Sequence, residues 1–236
     1  MERAMTELFS GGLTRLDDQG QATGIYKKAI TGPVRLGFQG LDGDIQADRR
    51  VHGGPEKALH QYAVDSYRRL GERFPSIAAQ LLTGSIGENI SVPGFDEKTV
   101  CIGDIFRLGR ARLQVSQPRS PCWKIDHRYA LDGVARAISE TGLTGWYYRV
   151  LEAATVSSGD ELALIERLPG AVSLADLWQA WRQHRPDPAT LQRLCAAPGL
   201  NASWRKKLVS RLDWLRANAG TTAAAPPRAL LHERQP

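Results

Sequence analysis

The chain has 236 residues, 42% hydrophobic and 24% charged, enough to bury a sizeable core as one large domain or as one domain with a small appendage. No apolar run approaches the ~18 residues of a membrane span. The first sixteen residues carry charges and glycines where a signal peptide would be apolar, so a soluble protein of the bacterial-type cytoplasm is expected, with no membrane partner. The net charge of +6 is uneven: between Ala171 and Arg216 eight Lys/Arg stand against three acids, a basic surface that suits nucleic acid, an acidic protein or an anionic ligand without choosing among them.

In chain order, the first chemical stretch runs from Gly43 to Lys57. Its tandem Gly53-Gly54 beside His52 and Lys57 is suited to bring backbone N–H groups close to an anion, with the two side chains adding charge or donors. Taken alone, the string is more often an ordinary glycine turn, and neither Walker nor dinucleotide-fold glycine spacing is present. Val64 to Phe74 follows as a helix, with Val64, Tyr67 and Leu70 on one face and Pro75 as the stop. The next segments read as short strands punctuated by glycine: Ile86 to Val92, Val100 to Ile102, Asp104 to Leu108, and Ala111 to Val115 across a Gly109-Arg110 turn. Asn89, in Gly87-Glu88-Asn89, is either a hydrogen-bonding group for a ligand or a strand-end turn. Asp132 is placed to cap a short helix through Val134, Ala135 and Ile138 that ends near Gly142, and a last strand covers Glu161 to Ile165. Regular short strands of this kind indicate a mainly β barrel or sandwich up to about Leu168.

After Pro169-Gly170 the period becomes helical. Ser173, Asp187-Pro188 and Asn201 each open a helix, carrying Leu174/Leu177/Trp178/Trp181, Leu191/Leu194/Cys195 and Trp204/Leu208/Leu212/Leu215 on their apolar faces. The expected organisation is a barrel over 1–168, a three-helix unit over 169–216 and a disordered tail over 217–236, rich in Ala, Thr and Pro. The basic helices lack helix-turn-helix spacing and aromatic-basic interleaving, so nucleic acid is not an expected partner.

The stretch from Ser116 to Lys124, S-Q-P-R-S-P-C-W-K, carries the most chemistry. Pro121 fixes the backbone before Cys122, and Arg119 and Lys124, if folded toward the sulfur, favour the thiolate that binds metals. A small buried hydrophobe in a proline-rich loop is the competing reading. Cys101 and Cys195 fall in apolar surroundings, and three dispersed cysteines exclude a disulfide framework or a cysteine-rich zinc site.

In order, G-D-x-Q-x-D-x-x-V-H-G-G-P-x-K-A, G-E-N, G-D-x-F-R-x-G and S-Q-P-R-x-P-C-x-K resemble the MOSC domain, the molybdenum cofactor sulfurase C-terminal type of β-barrel. With the three-helix extension, the likeness is to its bacterial YiiM-type branch and spans Thr23 to Arg216. The resemblance implies a molybdenum cofactor (molybdopterin) in a cleft of the barrel, with Cys122 as thiolate ligand to molybdenum. His52, Gly53, Gly54, Lys57, Asn89 and Arg119 would then bind its phosphate and pterin, and Lys27 and Lys28 either join them or remain solvated strand charges. It further implies a molybdenum-dependent oxidoreductase that reduces N-hydroxylated small molecules such as 6-hydroxylaminopurine, detoxifying mutagenic base analogues. Electrons would come from a separate reductase, a flavoprotein, with the basic helices as its docking face. The alternative is a cofactor carrier or sulfur relay in which Cys122 accepts a persulfide.

Overall fold

The computed structural model describes residues 5–16 and 20–219. Its strands are β1 (Glu7–Ser10), β2 (Thr14–Arg15), β3 (Ala22–Thr23), β4 (Lys28–Ala29), β5 (Pro33–Gly37), β6 (Gly40–Leu41), β7 (Leu59–Gln61), β8 (Ile90–Ser91), β9 (Ile105–Leu108), β10 (Ala111–Pro118), β11 (Trp146–Glu152), β12 (Ala154–Ser157) and β13 (Leu162–Glu166). The helices are α1 (Arg49–His52), α2 (Val64–Arg73), α3 (Lys124–Tyr129), α4 (Val134–Thr141), α5 (Leu174–Arg182), α6 (Pro188–Cys195) and α7 (Ala202–Ala217). Eight strands form one mixed sheet in the order β13-β9-β10-β11-β7-β8-β1-β4, antiparallel except where β7 meets β8. A bridge between Met5 and Glu161 ties the segment before β1 to the one before β13, so the sheet curls into an open barrel.

Period-two alternation builds its centre. Ala111, Leu113 and Val115 on β10, with Trp146, Tyr148 and Val150 on β11, face the core, which puts Tyr147 and Arg149 on the opposite face. The β9–β10 hairpin across Gly109 is as the sequence predicts, β10 runs on to Pro118, and β13 matches the expected last strand. The strand expected over Ile86 to Val92 shrinks to Ile90–Ser91. Gly87 takes a positive φ of 87°, and the buried Glu88 carboxylate turns the chain by accepting from Gly84 N and Ser91 Oγ. Val100 to Ile102 reduces to one bridge between Cys101 and Ser173, because its backbone pairs with the start of α5.

The helix through Val64 ends as expected before Pro75, and α4 stops at Gly142 with φ 76°. Its capping carboxylate is Asp126, from α3, which accepts from Gly133 N and Ala135 N, rather than Asp132. Ser173, Asp187 and Asn201 cap α5, α6 and α7 as predicted. Trp178, Trp181 and Trp204 of these helices belong to the same buried cluster as Leu113, Val115 and Tyr148 of the barrel, so one core spans both parts. Cys101 is buried, and Cys195 is partly buried against that core. Ala217 closes α7; from residue 220 the expected disordered tail lies outside the described residues.

Candidate functional site

The end of β10 delivers the cysteine loop. Pro118, which has no N–H to continue the ladder, ends the strand, and Arg119 N donates to the Gly145 carbonyl at 3.0 Å. Just upstream, a bulge leaves Ser116 out of the pairing register, and its hydroxyl donates to the Glu56 carbonyl at 2.6 Å. Cys122 then closes the first turn of α3 by accepting from Ile125 N at 3.0 Å. Both side chains are sequestered: Cys122 is 3% exposed and Arg119 5%.

They line a cavity open to solvent together with His52, Lys57 and Asn89, all expected site residues. His52 comes from the end of α1 and Lys57 from the 3-10 turn Pro55–Lys57. Gly53 and Gly54 do not line the cavity. A side chain at Gly53 would sit 3.2 Å from Arg49 Cα, and Gly54 has φ 90°, so the pair shapes the turn between His52 and Lys57. Gly24 and Gly87 line it in their place. A Cβ on Gly24 would stand 2.1 Å from the Ile45 carbonyl oxygen.

One wall is a closed polar network. Asp44 accepts from Lys27 Nζ at 2.5 Å, Gly11 N at 3.0 Å, Gln46 Nε2 at 3.1 Å and Asn89 Nδ2 at 3.0 Å. Asn89 also donates to the Phe9 carbonyl and accepts from His60 N, so it braces the wall from inside. Burial pushes the Lys27 pKa down, opposed by the neighbouring Asp44 carboxylate. Lys27 is thus a buried, paired lining residue, while Lys28 is exposed on β4. Asp44 is the only carboxylate among the described lining residues, against Lys27, Lys57, Arg119 and Lys124, which leaves the cavity positive. Lys124 lines it but gives a hydrogen bond to the Ala22 carbonyl at 2.6 Å.

The floor holds residues that sequence reasoning missed. In register, His60 on β7 pairs with Tyr147 on β11, which pairs with Gln117 on β10. The Tyr147 hydroxyl lies 3.4 Å from His52 Nδ1 and hydrogen-bonds Arg119, while Lys57 Nζ sits 5.9 Å from its ring centroid. Burial raises the Tyr147 pKa and holds that of His60 well below the usual histidine value, the Arg119 charge adding to the latter, so Tyr147 keeps its proton and His60 is neutral. Within the Trp146-Tyr147-Tyr148 run, only strand alternation separates the tyrosine facing the cavity from the two core residues. Arg119 Nη1 is buried with no hydrogen-bond partner, an orphaned cationic donor in a cavity of positive charge.

A fold of this kind with this cavity defines a MOSC-type protein, and the MOSC domain profile matches residues 48–163 while that of the YiiM-like 3-alpha helix domain matches 172–213. The protein YiiM of Escherichia coli K12 is 37% identical over 194 residues, 82% of this chain and 86% of its own. The chain belongs to the YiiM family of MOSC proteins. The crystal structure of YiiM from Escherichia coli superposes with a TM-score of 0.76 at 30% identity, covering 91% of this chain and 94% of the other. A protein of Gibberella moniliformis named "Reductase" is 38% identical over 144 residues, 61% of this chain but 26% of its own length.

Proposed function

We propose that the cavity binds the molybdenum cofactor and that the protein reduces N-hydroxylated compounds, hydroxylaminopurines such as 6-hydroxylaminopurine among them, to the amine and water. The observation that carries this reading is the pairing, in one positive cavity, of a buried soft donor, Cys122, with a buried guanidinium whose Nη1 has no partner, Arg119. Among the described residues no group of three or more His, Cys, Asp and Glu could hold a metal ion, so a metal here would arrive with ligands of its own and need little more than one thiolate from the chain. The MOSC family and the fungal relative named as a reductase support the same reading.

Cys122 would ligate molybdenum, while Arg119, Lys57 and His52 would hold the anionic part of the cofactor. Arg119 brings the planar fork that fits phosphate with two hydrogen bonds. When bound, the cofactor supplies two-electron removal of oxygen from an N–OH group, the reaction taking up two electrons and two protons. Tyr147 keeps a phenolic proton at the floor beside His52 Nδ1, and buried Ile25 and Ile86 limit water in the cavity. The electrons come from a separate flavoprotein reductase in the same cytoplasm. No helix among the described residues is long and apolar enough to cross a membrane.

The test is turnover of 6-hydroxylaminopurine with reduced methyl viologen, per folded molecule. Wild type, Cys101→Ser and Cys195→Ser are expected to form the amine, and Cys122→Ser to fall to background. A cofactor-loaded wild type that forms no amine would instead fit a carrier or sulfur relay.

A further inference from the structure

Behind the cavity, the start of α7 is fastened to three segments that carry cavity side chains. The first is the 3-10 turn that ends in Lys57. Its Glu56 carboxylate accepts from Arg149 Nε at 3.0 Å and Nη2 at 2.5 Å and from Asn201 Nδ2 at 3.1 Å. The second is β11, where Arg149 shares the face of Tyr147. Arg149 Nη1 donates to Gln114 Oε1 at 2.6 Å and Nη2 to the Gly199 carbonyl at 2.8 Å. The third is the end of β10, which leads into the loop of Arg119 and Cys122. There Asn201 N donates to the Ser116 carbonyl at 2.9 Å, and the buried Ser116 hydroxyl is shared between the carbonyls of Glu56, at 2.6 Å, and Tyr147, at 3.1 Å.

These contacts meet at Asn201, which is 6% exposed. Its Oδ1 caps α7 by accepting from Ser203 N at 2.8 Å and Trp204 N at 3.4 Å, which leaves its backbone and side-chain N–H groups to bond the barrel. The approach is close enough to require glycine on both sides. Gly199 has φ 76°, and a Cβ there would stand 2.5 Å from Gly103 Cα; one on Gly103, at φ 84°, would stand 2.3 Å from the Pro198 carbonyl oxygen. The Arg149 fork fixes the direction of the Glu56 carboxylate and lowers its pKa, so the pair stays charged at neutral pH. With the Glu56 side chain 40% exposed, the pair adds little stability of its own; what it fixes is geometry.

We propose that Glu56, Arg149 and Asn201 are positioning residues for the cavity. None of the three is among its lining residues, yet through them the N-terminus of α7 sets where Lys57, Tyr147 and the loop of Arg119 and Cys122 stand. The three-helix unit thereby governs how tightly the barrel holds an anionic ligand that the unit itself does not touch. The inference rests on the reading of the cavity as an anion and cofactor site.

The experiment is calorimetric titration of the cofactor-free protein with inorganic pyrophosphate, alongside a thermal melt of each variant. Asn201→Ser keeps a capping hydroxyl on α7 but loses the reach to Glu56, and Arg149→Lys keeps the charge but loses the fork. Each is expected to weaken pyrophosphate binding about tenfold in protein that remains folded, and to release molybdenum about tenfold faster once loaded. Asp187→Ala removes the cap of α6 and so loosens the same helical unit away from these contacts; it should lower the melting temperature and leave affinity unchanged. Wild-type affinity in both Asn201→Ser and Arg149→Lys would overturn the proposal. So would an equal loss in Asp187→Ala, which would mark the effect as general loosening, or a wild type that binds no pyrophosphate. Because affinity is read without cofactor, an Asn201-dependent pyrophosphate site in a protein that never acquires molybdenum would remove the functional reading and keep the positioning role. Turnover in a protein whose pyrophosphate affinity ignores these substitutions would do the reverse.

Discussion

Arg119 is buried at 5% exposure with Nη1 unbonded, and a buried polar group left without a partner costs about 1–3 kcal/mol. The guanidinium already bonds the Tyr147 hydroxyl, but its unpaired Nη1 weakens the cofactor-free fold until an anion arrives. Arg119→Met is predicted to make the cofactor-free protein more stable by about 1–2 kcal/mol in denaturant melts while abolishing tight cofactor retention. A less stable Met variant would mean that the guanidinium is already satisfied. Arg119→Lys, which keeps the charge but not the fork, is expected to lose cofactor about tenfold faster, read as molybdenum off-rate. At this scale the sequence was informative where chemistry sits in one continuous string: Arg119 and Cys122 share a loop, and both reach the cavity. Tyr147 and His60 are not legible as site residues, because their roles come from register between strands distant in sequence, and Asp44 is not, because its role comes from hydrogen bonds to Lys27 and Asn89 of other segments. A glycine that shapes a turn, as Gly53 and Gly54 do here, looks the same in sequence as one that faces an anion.

The junction before β11 shows how elements hold the site. Gly145 N donates to Glu97 Oε1 at 2.7 Å, and its carbonyl receives Arg119 N, so one glycine joins the α5 seam to the cysteine loop. Its φ is 67°, and a Cβ would lie 2.4 Å from the Gln61 carbonyl oxygen and 2.8 Å from His60 Nε2. Gly145→Ala should cost about 3 kcal/mol, seen as a lower denaturant midpoint; an unchanged midpoint would show that the turn can relax. Glu97 is buried, and burial raises its pKa to about 7 despite the Gly145 bond. The native state thus holds the Glu97 proton to higher pH than the unfolded chain does. Its contribution is fully present below about pH 4.5 and is lost as pH rises toward 7. Glu97→Gln, which mimics the protonated form and can still accept from Gly145 N, should flatten that slope and raise stability at pH 8 by about 2–3 kcal/mol. A slope identical to wild type between pH 5 and 7 would locate the titration elsewhere. Helix ends were legible because caps are local: Ser173, Asp187 and Asn201 all cap where expected. The strand over Ile86 to Val92 was not, because the buried Glu88 carboxylate, not side-chain alternation, sets the chain path there.

Over the whole molecule, the three C-terminal helices read from sequence as an appendage, since their period, caps and charge all change after Pro169-Gly170. The packing is otherwise: Leu174, Trp178 and Trp204 lie in the barrel's own core cluster, and the backbone of Val100, Glu97 and Ser116 bonds Leu174, Ala175 and Asn201. One cooperative thermal transition is therefore expected by calorimetry, and a chain ending at 168 should fail to stay soluble; two separable transitions would contradict a shared core. If a flavoprotein reductase docks on this unit, its outward charge would serve that docking. Reversing exposed Lys206 and Arg193 to glutamate should leave cofactor content intact and slow turnover with the flavoprotein at low ionic strength, because complementarity acts mainly on association rate. Equal rates would remove docking from these helices. The claim on which the whole account turns is that Cys122 and the positive cavity around it hold molybdenum. Its most direct test is molybdenum per folded chain in protein purified from a host that makes the cofactor. The account predicts stoichiometric metal in wild type and Cys101→Ser and a large loss in Cys122→Ser, whereas metal-free wild type, or full occupancy without the Cys122 thiol, would contradict it.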